Sequence, residues 1–145
     1  MKYFILSLIL LCCSVFVKGQ NQYSAEPSPV LLKERWEAEW ITCPESSLYD
    51  YGVYHFRKTL TLNSRLDSFI INISADNRYR LFVNGKPVCW GPARGDIYHW
   101  YFDTVDIAPL LRPGKNVLAV LVWNFGNYTP GAQMTLKTGL IVQGN

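Results

Sequence analysis

The chain has 145 residues, a formal net charge of +3, and a composition that is 49% hydrophobic and 14% aromatic. That length suffices for one domain with a real core. The small charge and the lack of a clustered Lys/Arg run argue against nucleic acid as a partner.

Met1–Gly19 reads as a signal peptide. Lys2 supplies the positive start, Tyr3–Val17 is apolar, and Val17-Lys18-Gly19 offers a cleavage site before Gln20. The apolar run is too short for a comfortable membrane span and no stop-transfer segment follows it, so the chain is expected to be exported, to the periplasm or the outside. Lipidation at Cys12 or Cys13 is disfavoured, because the small residue wanted just before such a cysteine is missing. Loss of this segment leaves Cys43 and Cys89. An oxidising compartment permits a disulfide between them, and two free thiols fit equally well. Neither a CxxC nor a Cys/His spacing is present, so no metal site is expected, and no cofactor.

Residues 20–35 begin with a polar, proline-bearing stretch and read as an extended leader, with the folded domain expected over 36–145. Trp36, Ala38 and Trp40 alternate with Glu37, Glu39 and Ile41, which predicts a first strand over Glu37–Thr42. Gly52–Leu62 alternates clearly, with Tyr54, Phe56, Leu60 and Leu62 on one side; Lys58 falls on that apolar side and marks a bulge or an edge. Ser68–Ser74 aligns Phe69, Ile71 and Ile73.

Asn84-Gly85 sits between two strand-like runs, and this is the strongest short hairpin signal, since a type I′ turn needs positive φ at both central positions. Pro87 cannot donate a ladder hydrogen bond, which places the return strand at an edge or a bulge. Trp100–Val105 is read as a strand, Asp106–Leu111 as a single helical turn, and Val117–Trp123 as a strand buried on both faces. Thr135–Val142 closes the chain as a last strand. Eight or so short strands without a long helix predict an all-β sandwich of jelly-roll, galactose-binding-like type.

Glycoside hydrolysis requires two carboxyl groups at a set separation. Asp76, Asp96, Asp103 and Asp106 are the candidates nearest loops and aromatic residues, but the sequence places no two of them across a cleft, and capping or turn bonding is the commoner role for such residues. His55 and His99 lack a G-x-S-x-G partner motif, so a hydrolytic triad is not supported. No catalytic residue is assigned. Asn72-Ile73-Ser74 and Asn127-Tyr128-Thr129 have the form of glycosylation sequons, the first in mid-strand. Arg94-Gly95-Asp96 matches an adhesion tripeptide too short to carry weight.

A polar and aromatic loop set remains: Asp76, Asn77, Arg78, Arg94, Asp96, His99, Trp100, Trp123, Asn124 and Asn127. Rings that stack on the apolar faces of sugars, and planar polar groups that pair with vicinal hydroxyls, give this set the chemistry of carbohydrate binding. Carbohydrate binding by Asp76, Arg78, Arg94, Asp96, His99, Trp100, Trp123 and Asn124 competes with a role in loop bracing through charge-assisted hydrogen bonds, which these residue types fit equally well.

Several segments in order resemble the N-terminal domain of exported α-L-rhamnosidases of glycoside hydrolase family 78. They are Trp36-x3-Trp40-Ile41, Gly52–Lys58, Ser74-Ala75-Asp76-Asn77-Arg78-Tyr79, Phe82-Val83-Asn84-Gly85-Lys86, Gly91-Pro92-Ala93-Arg94-Gly95-Asp96 with His99-Trp100, Asp106–Leu111, and Pro113–Ala119. The resemblance implies a β-sandwich that precedes further β-domains and an (α/α)6 barrel, and that barrel supplies the catalytic glutamates. The catalytic residues then have no counterpart here. An accessory role beside a downstream catalytic domain follows, with a rhamnose-containing glycan as the expected contact. A free-standing carbohydrate-binding module is the alternative.

Overall fold

The computed structural model of the chain describes residues 22–144, so the expected signal peptide lies outside the described residues. Seven strands form: β1 Gly52–Leu62, β2 Ile70–Ala75, β3 Arg78–Val83, β4 Lys86–Gly91, β5 Asp103–Asp106, β6 Gly114–Asn124 and β7 Leu140–Gly144. They make two antiparallel sheets, one ordered β1-β6-β3-β4 and the other β5-β2-β7. Among the described residues only single turns of 3-10 helix interrupt them, and no helix is long and apolar enough to cross a membrane. The fold is the expected all-β sandwich.

Alternation builds the core. Ile71, Ile73 and Ala75 of β2 face Tyr79, Leu81 and Val83 of β3, with Val105, Leu118, Val120, Val122 and Leu140 completing the layer. β2 and β3 belong to different sheets, yet only Asp76-Asn77 separates them. Asn77 takes φ 67° there, a left-handed conformation that asparagine tolerates better than most residues.

The Asn-Gly hairpin joins β3 to β4 as the sequence predicts, with Asn84 at φ 50° and Gly85 at φ 80°. Asn84 does more than turn the chain. Its Nδ2 donates to Leu110 O at 2.9 Å and Asn116 Oδ1 at 2.8 Å, and its Oδ1 accepts from Val117 N at 3.0 Å. Asn116 is fully buried and returns two bonds to the Arg112-Gly114 turn, so the hairpin and the turn that opens β6 are locked together. Pro87 lies on an edge strand, and the β3–β4 register shifts between Leu81 and Phe82, so both expected features occur. β1 is the other edge. Its register with β6 runs without a shift, so Lys58 marks an edge and not a bulge.

Four expectations are corrected. Glu37–Thr42 is not a strand: Ile41 alone bridges Leu140, and Ala38 N bonds to the Gln143 side chain instead of a backbone carbonyl. β5 starts at Asp103, because Trp100 packs on Trp40 and Tyr101 O accepts Ser74 Oγ at 2.7 Å. β7 starts at Leu140, because Thr135, Leu136 and Thr138 bond to Asp76 and Leu48 instead of to a neighbouring strand. β6 is buried on one face only, since its alternate residues Val117, Ala119, Leu121 and Trp123 are half-buried.

The leader is woven into the smaller sheet. Ser24 bridges Val105 on edge strand β5, Ile41 bridges Leu140 on edge strand β7, and the chain between them includes Trp36 packed edge-on against Phe102 at 5.0 Å. Asn72, Ser74 and Ile141, on the face of β2 and β7 turned away from the core, are buried as a result.

Between the sheets Tyr79, fully buried, donates to Asp103 Oδ2 and lies 3.6 Å from Cys89 Sγ. Burial raises all three groups: Tyr79 far up, Asp103 above the ordinary 3.8, and Cys89 to about 11. Cys43 and Cys89 are both free thiols. Gly91 is required here, because a Cβ would fall 2.0 Å from Asp103 Oδ2.

Two predictions follow from these contacts. Asn84→Ala removes three bonds and leaves buried partners unsatisfied, which should cost about 2–3 kcal/mol, read as a lower urea midpoint at unchanged slope. Asp103 has a raised folded pKa, so its contribution is fully present below its ordinary 3.8 and is lost as pH rises through the folded value. Asp103→Asn keeps an acceptor for Tyr79, so the fall in melting temperature from about pH 4 to about pH 7 should be shallower than in the parent. An unchanged slope would mean that Asp103 is not the buried charge that matters.

Candidate functional site

The clearest concavity lies on the outer side of the smaller sheet, where the leader crosses it. It has two lobes that share Trp40 and Trp100. These rings meet edge to face at 5.5 Å and 63°, so they form the partition between the lobes.

The first lobe, about 330 Å3, is walled by Ile41, Thr42, Leu48, Leu136, Lys137 and Thr138, with Asp76 at its base. The second, about 510 Å3, runs over Ser74 and Ile141 between Trp36 and Phe102, and carries Arg35 and Glu39. Trp40 is 46% exposed, enough to present a ring to a ligand.

Asp76 holds the first lobe together. It is 1% exposed, and its carboxylate accepts Thr135 Oγ1 at 2.9 Å and Leu136 N at 3.1 Å. Burial pushes its carboxyl above the usual range, and the bonds from Thr135, Leu136, Asn77 and Lys137 hold it back only in part. Asn124, equally buried, donates to Thr138 Oγ1 at 2.6 Å and accepts Gly126 N at 2.7 Å. Thr138 Oγ1 in turn donates to Leu48 O at 3.0 Å.

The structure divides the sequence-derived candidates among several places. Asp76 and Trp100 come together at the groove, with Asn124 behind its wall. Arg94, Asp96 and His99 are exposed on the loop that leads into Trp100. Asp96 accepts the His99 ring at 2.8 Å and the backbone N–H of Tyr98 and His99, and the His99 bond is the main cause holding its carboxyl below the usual range. Trp123 lies on the outer face of the larger sheet, opposite Arg78 in register, and Arg78 donates to Pro92 O. Asn77 is buried at the sheet crossing with its side-chain amide unpartnered, and Asn127 is exposed. Of the two sequons, Asn72 is fully buried and accepts Thr104 Oγ1, while Asn127 lies in an exposed turn.

Trp36, Trp40 and Phe102 line the groove but were not legible as site residues. The first two carry an alternating pattern that reads as a strand, and only the crossing of the leader over the sheet brings them to Trp100. Each lobe has one carboxyl group, Asp76 or Glu39, and the Asp76 oxygens are already bonded. Among the described residues no group of three His, Cys, Asp or Glu is placed to hold a metal ion. What the groove offers is aromatic surface with polar groups at its margin.

No family model matches the chain, and no curated protein matches it. Solved structures do. The rhamnosidase of glycoside hydrolase family 78 from Bacillus sp. GL1 superposes with a TM-score of 0.69 at 33% identity, over 77% of this chain and 12% of that enzyme. The α-L-rhamnosidase of Dictyoglumus thermophilum gives 0.56 at 23% identity over 75% of this chain and 14% of its own. The Streptomyces avermitilis α-L-rhamnosidase complexed with L-rhamnose gives 0.54 at 23% identity, over 86% and 12%. The last two bear on the fold alone, and the chain spans only a small part of each enzyme. Agreement in fold, with a third of the aligned residues identical to the Bacillus enzyme, places this chain with the β-sandwich domains of glycoside hydrolase family 78 α-L-rhamnosidases.

Proposed function

We propose that this chain is the accessory β-sandwich domain of an exported α-L-rhamnosidase-like hydrolase, standing N-terminal to a catalytic domain. In this reading it is not catalytic alone, and it contacts a rhamnose-containing glycan in the Trp40–Trp100 groove. The observation that carries the proposal is the two-lobed groove divided by that tryptophan pair. A pyranose packs its C–H face on an aromatic ring while its hydroxyls reach groups such as Glu39, Arg35 and Lys137 at the rim. The 6-methyl group of rhamnose adds apolar surface that suits the Ile41 and Leu136 side of the first lobe. Export rests on the signal-peptide reading of Met1–Gly19.

A second reading is favoured by a specific observation. Ile41 and Leu136, at the rim of the first lobe, are 52% and 54% exposed, as a surface that packs on a neighbouring domain would be. On this reading the groove receives protein from the catalytic domain and not sugar.

Titration of the purified chain with rhamnose and rhamnosyl oligosaccharides, followed by tryptophan fluorescence and calorimetry, separates the readings. Sugar contact predicts saturable binding that weakens at least about tenfold in Trp40→Ala, about 1.4 kcal/mol. A thermal melt of the variant checks that the fold is kept. Absence of binding to every rhamnoside would sink the carbohydrate reading and leave domain packing. The size of the native product in the source cells, detected with an antibody against this domain, then distinguishes a multidomain enzyme from a free-standing module.

A further inference from the structure

The outer face of the larger sheet, opposite the groove, has a different character. On that face stand Arg57, Arg78, Arg80 and Lys115, and the strands β1, β3, β4 and β6 contain not one Asp or Glu. The chain's carboxylates all lie elsewhere, so this sheet carries an uncompensated positive charge.

Register sets the neighbours on that face. Arg80 pairs across to Trp90 on one side and Leu121 on the other, and Leu121 pairs to His55. Trp123 is the next outward residue along β6. Trp90 is 79% exposed on edge strand β4. Arg80 lies 5.1 Å from the centroid of the Phe82 ring. Arg80 is exposed, and a guanidinium offers paired N–H donors that grip a carboxylate in bidentate fashion. Among the described residues the one ion pair is Asp96–His99, so Arg80 has no carboxylate partner within the fold. A shallow pocket of about 340 Å3 joins Arg80, Trp90 and Trp123 over Pro87, Val88 and Cys89, with the bulge at Val88 forming its floor.

We propose that this pocket is a second ligand site, selective for a carboxylate-bearing pyranose, that is, a uronic acid residue of an acidic polysaccharide. The sugar ring packs against Trp90, with Trp123 bounding the other side, and its carboxylate pairs with Arg80. Arg57 extends the positive field along the face for neighbouring acidic residues of the same polymer. A protein partner fits less well. Interface cores are depleted in charge, whereas here an unpaired arginine stands between the two rings, and the concavity has the size of a small-ligand pocket. The site shares no residue with the groove and does not depend on what the groove binds.

Calorimetric titration with a galacturonic acid tetramer and with its methyl ester, at low and at raised salt, tests the assignment. The free acid should bind, with affinity falling as salt rises, and the ester should bind at least about tenfold more weakly. Arg80→Gln should reduce acid binding to the level of the ester, and Arg80→Lys should fail to restore it. Trp90→Ala should abolish binding, while Trp40→Ala leaves it unchanged. Arg80, Trp90 and Trp40 are all exposed, so each variant should keep the fold, which a thermal melt checks. Equal binding of acid and ester, no binding of either, or loss on Trp40→Ala would overturn the proposal. Equally tight binding of polyglutamate would also overturn it, by reducing the face to a general anion patch.

Discussion

A carboxylate buried at a two-residue crossing between sheets must be given donors by whatever chain lies nearest. Asp76 occupies that position, and the segment before β7 answers it with Thr135 Oγ1 and the Leu136 amide. An unmet charge there would cost far more than the net gain of the bonds that satisfy it. In the same segment, Thr138 takes a bond from Asn124 and gives one to Leu48 O. Bonds from two buried side chains, Asp76 and Asn124, therefore fix a segment that has no strand pairing of its own. The same segment forms one wall of the groove.

The opposite wall comes from the amino-terminal segment. By bridging one edge strand of the smaller sheet at Ser24 and the other at Ile41, it closes both open edges and lays its tryptophans across the sheet. The sandwich therefore has two unlike outer surfaces. One is covered by chain and hollowed into an aromatic groove; the other is uncovered and cationic, with a shallow pocket at Arg80. Such asymmetry suits a domain with distinct engagements on its two sides.

Strand and turn chemistry was legible wherever local signals governed the outcome. The alternation of Gly52–Leu62, the Asn84-Gly85 turn, and the edge meaning of Pro87 and Lys58 each rest on a few neighbouring residues, and each reads correctly. Errors arose where distant partners took over. Glu37–Thr42 alternates like a strand, yet its rings pack on Trp100 and Phe102 and its Ala38 amide finds a side chain of β7. Residues 135 to 138 read as strand too, but Asp76, Asn124 and Leu48 claim them. For the candidate site, Trp100 and Asp76 were found through residue type and loop context. Trp36, Trp40 and Trp90 were not, because a tryptophan in a strand-like run reads as core until the topology shows which face is covered.

Pairing of Ser24 with Val105 also bears on the order of events in folding. The Ala25 amide bonds to Thr104 O, and Tyr23 O takes the Asp106 amide, yet β1 to β4 all lie between these partners in the chain. Such non-local pairing must await the rest of the sandwich, since loop closure is opposed by entropy until the intervening strands have collapsed. Until then the edge of β5 stands open, with unpaired amides that another chain could add to. The first residues of the domain thus act as its last clasp.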